Sequence, residues 1–62
     1  MGAKLQKAFK IAKDEKGLQA TMRLAMKSGM SEQKAAGEAD SPANIQKMEA
    51  ALKEVLGKDI KL

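Results

Sequence analysis

The chain of 62 residues contains no cysteine and no histidine. Without cysteine it can form no disulfide and no thiolate-held metal site. Without histidine it lacks the commonest metal ligand and the commonest general base at neutral pH. Tryptophan and tyrosine are absent as well, which leaves Phe9 as the one aromatic side chain. That argues against single-stranded RNA or DNA as a ligand, because single strands are gripped by stacking their bases on aromatic rings. β-Branched residues are few, and no stretch alternates apolar and polar side chains as a half-buried strand would. No apolar run approaches the roughly 20 residues that span a bilayer, and the N-terminal region lacks the apolar block of a signal peptide. The opening Met-Gly-Ala-Lys-Leu-Gln has no serine or threonine at the sixth place, where a myristoylation signal needs one. These absences lead us to expect a cytoplasmic chain.

What is present is alanine, lysine and leucine, all good helix formers. The balance of 44% apolar to 32% charged residues suits a folded domain rather than a disordered one. The expected fold is all-α, a single domain over 1–62 built as a small three- to four-helix bundle. Punctuation divides it into helices at about 3–16, 18–28, 32–39 and 42–56, with a tail at 57–62. Gly17, Gly29 and Gly57 are natural helix stops, Ser31 is a plausible N-cap, and Ser41 followed by Pro42 is a strong helix start. The third helix is expected to be short and weak, since its apolar residues are only Ala35, Ala36 and Ala39 and Gly37 interrupts it.

The stretch 18–31, LQATMRLAMKSGMS, organises the rest. At about 100° per residue, Leu18, Met22, Ala25 and Met26 share one side, while Leu24 lies well round from them. So wide an apolar surface asks for neighbours on more than one side, which places helix 2 at the centre. The expected core is Leu5, Phe9, Leu18, Met22, Ala25, Ile45, Met48, Leu52 and Leu56. Helix 4 carries Ile45, Met48, Leu52, Val55 and Leu56 on one side. Its outward Glu49 and Lys53 are spaced as an i,i+4 ion pair. Ile60 and Leu62 of the tail are candidates to fold back onto the bundle.

Catalysis finds little footing. Thr21, Ser28, Ser31 and Ser41 are the only hydroxyl nucleophiles and have no histidine to activate them. The eight carboxylates show no metal-ligand spacing, and the glycines form no phosphate-cradling loop. We therefore expect no enzyme, no metal, no cofactor and no small-molecule substrate.

Charge points to a binding role instead. Residues 1–30 hold seven basic and two acidic groups, whereas residues 31–62 hold five basic and six acidic ones. The positive excess thus lies in helices 1 and 2. The segment Leu24-Ala25-Met26-Lys27-Ser28-Gly29-Met30-Ser31 resembles the centre of a repressor-type helix-turn-helix DNA-binding domain. Ala25, Gly29, Met30 and Ser31 stand where that family has its small contact residue, its turn glycine, an apolar residue and the serine that opens the recognition helix. The resemblance implies duplex DNA as partner, with Glu32, Gln33 and Lys34 facing the bases, of which Gln33 and Lys34 are suitable types. Added to the basic residues of helices 1 and 2, the expected nucleic-acid contacts are Lys7, Lys10, Lys13, Arg23, Lys27, Gln33 and Lys34.

Two other partners fit the pattern. Methionine is over-used on adaptable binding surfaces, so Leu24, Met26 and Met30 are candidates for a surface that docks another protein or a second copy of the chain. Helix 1, with Leu5, Phe9 and Ile11 set against lysines, also resembles a cationic amphipathic helix that lies on a membrane surface.

Overall fold

Four helices and no strand form among residues 2–62, the part of the chain that the computed structural model describes. They are α1 (Ala3–Lys16), α2 (Leu18–Ser28), α3 (Glu32–Gly37) and α4 (Pro42–Leu56). The all-α bundle expected from composition is the fold, with a short third helix that ends two residues earlier than its alanine pattern suggested. Among the described residues no helix is long and apolar enough to cross a membrane.

The stops and starts follow local chemistry. Ser31 Oγ accepts the Lys34 N–H at 3.1 Å, and Ser41 Oγ accepts the Asn44 N–H at 3.2 Å with Pro42 in the first turn. Gly17 alone makes the corner between α1 and α2. Its φ of 85° and ψ of −169° lie in a region that is essentially open only to glycine. So α1 and α2 are two helices meeting at a corner, not one bent helix.

The first helix is capped from far away. It has no acidic residue in its first turn and no capping side chain at Gly2. Instead the Asp40 carboxylate accepts the N–H groups of Lys4 at 3.2 Å and Leu5 at 3.4 Å. A negative charge at a helix N-terminus is favourable, because unpaired N–H groups concentrate positive charge there. Gly2 meets the end of α3 so closely that an added Cβ would collide with the Ala35 carbonyl oxygen. Asp40→Ala is therefore expected to cost about 0.5–2 kcal/mol, the usual range for losing a helix cap. Urea denaturation checks this: a midpoint equal to that of the parent chain would show that the carboxylate contributes nothing.

The helix that touches all the others is α1, which packs on α2, α3 and α4, while α2 and α4 also pack on each other. The core is Leu5, Ala8, Phe9 and Ala12 of α1, Ala20 and Leu24 of α2, Met30, Ala35 of α3, and Met48, Ala51, Leu52, Val55 and Leu56 of α4. Ile45 and Ala25 are half-buried against it. Ile60 and Leu62 do fold back onto it, and the Leu62 N–H donates to Glu49 Oε2 at 2.8 Å. Glu49 is thereby diverted from Lys53, whose ammonium lies 3.5 Å from Asp59 instead.

The orientation of α2 corrects the sequence reading. Its inward arc is Ala20, Thr21, Leu24 and Ser28, whereas Leu18 and Met22, expected in the core, are 67% and 64% exposed. Small side chains at 20, 21 and 28 let α1 and α4 come close to the α2 backbone, with Leu24 as the one large side chain that α2 buries. Their polarity is met locally. Thr21 Oγ1 donates to the Leu18 carbonyl at 2.6 Å, and Ser28 Oγ both accepts the Met30 N–H at 3.4 Å and lies 3.3 Å from the Met30 carbonyl. Helix 2 is consequently one wall of the bundle and not its centre.

Candidate functional site

The turn of α2 that hides Leu24 pushes three large apolar side chains into solvent. Leu18, Met22 and Met26 follow one another at i, i+4 and i+8, and Met26 is 83% exposed. At 1.5 Å rise per residue they form a ridge about 12 Å long. Single exposed apolar residues are ordinary on a protein surface; a row of three long ones at one-turn spacing is a candidate contact surface.

Of the partner-surface residues expected from the sequence, only Met26 lies on this ridge. Leu24 is fully buried, for the packing reason given above. Met30 is buried because the turn after α2 folds it onto the core, where Ser28 holds its backbone at both N–H and carbonyl. Leu18 and Met22 replace them. Their helical spacing was visible in the sequence, but an apolar row says nothing about which way it faces.

The ridge has a basic flank on each side. Towards α1 lies an open groove of about 490 Å³, lined by Gln6, Lys7, Phe9, Lys10, Lys13, Leu18 and Thr21, with Ala3 and Glu32 at one end. Leu18 thus belongs to both ridge and groove, and Phe9 lies at the groove's floor with almost no exposure of its own. Towards α4, next round the helix, come Arg23 and Lys27. Arg23 borders a small cleft with Lys16, Gln19, Ala20 and Val55, and Lys27 lies 3.8 Å from Glu54. The helix α2 itself carries no acidic residue.

The residues expected to contact nucleic acid are therefore distributed rather than gathered. Lys7, Lys10 and Lys13 share the groove, Arg23 and Lys27 are on the far flank of the ridge, and Gln33 and Lys34 are exposed on α3. The turn Gly29-Met30-Ser31 does separate α2 from α3, with Gly29 in the left-handed conformation and Ser31 capping α3. However, α3 is six residues long, and α1 is the helix it packs on. Among the described residues no group of three or more acidic side chains is placed to hold a metal ion. No protein-family model, curated protein or solved structure matches this chain.

Proposed function

We propose that this protein is a non-catalytic binding module that docks a partner protein against the exposed side of α2. The observation that carries the reading is the ridge of Leu18, Met22 and Met26. Three flexible or branched apolar side chains at one-turn spacing are the anchors by which a helix is recognised in helix–helix and helix-in-groove complexes. Burying them against a partner removes apolar surface that folding leaves in water. Methionine suits the role, because its unbranched thioether adapts to the shape it meets.

A neutral amphipathic peptide, with leucines at i, i+3, i+4 and i+7 and a fixed helical conformation, is the simplest probe. It is expected to bind the parent chain and to lose at least about tenfold in affinity to Met22→Asp, the effect of removing one buried anchor. Because Met22 is exposed, that variant should melt where the parent chain does. Undiminished binding to Met22→Asp would overturn the reading.

A second reading, duplex DNA, is favoured by the exposed Gln33 and Lys34 that follow the three-residue turn and by the three lysines of the groove. It predicts binding that falls steeply with salt, at about −0.9 per neutralised phosphate on a log–log plot. It also predicts that Lys7→Glu weakens all sequences alike while Gln33→Ala changes sequence preference. Titration of mixed duplex DNA at low salt decides it: no binding there ends the DNA reading.

A further inference from the structure

We infer that the occupant of this surface is an acidic amphipathic helix of a partner protein, lying along the groove between α1 and α2 with its carboxylates against the α1 lysines. The inference rests on the docking reading above and adds the partner's shape and charge.

Shape comes first. The ridge is not an isolated bump: Leu18 forms one wall of the groove and α1 forms the other, with Phe9 between them. A third rod about 10 Å across seated in this trough meets Leu18, and its apolar stripe can run on from there over Met22 and Met26, which continue the ridge outside the groove lining. A flat lipid surface could take the tips of the ridge, but it would leave the groove unfilled. The folded domain also offers no aromatic anchor to the interface, since Phe9 is buried.

Charge then selects among rods. Lys7, Lys10 and Lys13 step along α1 over about 9 Å at 1.5 Å per residue. A helix whose Glu or Asp residues recur every three or four positions presents carboxylates at a similar interval. Glu32 is the one acidic side chain lining the groove, at its α3 end. On the opposite flank Arg23 offers a further cation. A basic or neutral helix would gain nothing from these groups, and a basic one would be repelled.

The same charges argue against a second copy of the chain. If two α2 ridges paired antiparallel about a two-fold axis, each flank would meet its own equivalent. Arg23 would face Arg23 and the α1 lysines would face α1 lysines, while Lys27 is already paired with Glu54 of its own chain. Neither flank of the ridge would bring a carboxylate of its own helix, because α2 has none.

The test uses three versions of the helical peptide described above, with the same leucines and with glutamate, glutamine or lysine at the flanking positions. The full-length chain is titrated with each at low salt. The glutamate peptide is expected to bind at least about tenfold tighter than the glutamine peptide, and this advantage should shrink as salt is raised. Met22→Asp should abolish binding of both. In Lys10→Glu/Lys13→Glu the order should reverse, so that the lysine peptide becomes the tightest; this rescue excludes simple unfolding of the variant.

Equal binding of the glutamate and glutamine peptides, both lost in Met22→Asp, would overturn the acidic partner while leaving the docking reading intact. Binding of the glutamate peptide that Met22→Asp does not touch would overturn both, since only charge would then be recognised. If none of the peptides bound, but phosphatidylserine vesicles did and Met22→Asp released them, the occupant would be a membrane surface. Dimerisation in sedimentation that Met22→Asp abolished, again with no peptide bound, would assign the ridge to a second copy.

Discussion

Replacing Leu24 by alanine is expected to cost about 2–5 kcal/mol, while the same change at Met22 or Met26 should stay within about 0.5 kcal/mol. The three positions lie within one and a half turns of the same helix and carry side chains of similar size. Only their direction differs: Leu24 is fully buried between α1 and α4, and the methionines stand in water. Removing the Leu24 side chain leaves a cavity lined by groups that cannot collapse without shifting a whole helix, because Ala20, Thr21 and Ser28 already bring the neighbours close. A domain of this length has a total stability of roughly 3–9 kcal/mol at the usual value per residue. Leu24→Ala should therefore be partly unfolded at room temperature. Urea denaturation of the three alanine variants checks the contrast. Equal midpoints for Leu24→Ala and Met22→Ala would mean that α2 is rotated differently.

That contrast also shows where the sequence was legible. Helix boundaries were written in residues with a local effect. A glycine at 17, serines at 31 and 41 and a proline at 42 act on their own backbone, so each could be located without knowing what lies across the bundle. The inward side of α4 was legible for a related reason: Met48, Leu52, Val55 and Leu56 are all large, and the opposite side is polar, so only one orientation buries anything. Helix 2 offers no such asymmetry. Two of its sides are credible interiors, one made of Leu18, Met22 and Met26 and the other of Ala20, Thr21, Leu24 and Ser28. Hydrophobicity favours the first. Close packing favours the second, because small residues let helices approach and the two hydroxyls are satisfied by nearby backbone carbonyls. The winning term depends on three helices at once and cannot be read from one.

The same limit applies to the candidate site. Met26 was identified as surface from its residue type, and the lysines of α1 from their number. What links the two is Leu18, which stands in the same row as Met26 and also lines the groove opposite Lys10 and Lys13, because the Gly17 corner folds α2 back along α1. The Asp40 cap is hidden in the same way. It lies 35 and 36 residues from the N–H groups it accepts, and no local pattern announces a cap at that distance. Contacts within a turn were legible. Contacts that close a long loop were not.

Phe9→Ala should be the most damaging single truncation, at about 3–5 kcal/mol, the range for removing a buried aromatic side chain. Phe9 is the chain's one aromatic group, 1% exposed, and the largest of its fully buried side chains. It sits on α1, the helix in contact with all three others, and belongs to the core cluster that those helices share. A loss of that size approaches the whole stability of a domain this small. The variant is expected to lose its cooperative thermal transition while keeping some helix by far-ultraviolet circular dichroism. Phe9→Leu fills more of the space and should cost clearly less, leaving a folded domain whose groove is deeper at its floor. In that variant the affinity for the glutamate peptide should change more than it does in Ala50→Leu, a substitution on an exposed position of α4 away from the groove. If Phe9→Ala melted cooperatively within a few degrees of the parent chain, α1 could not be the helix on which the others converge.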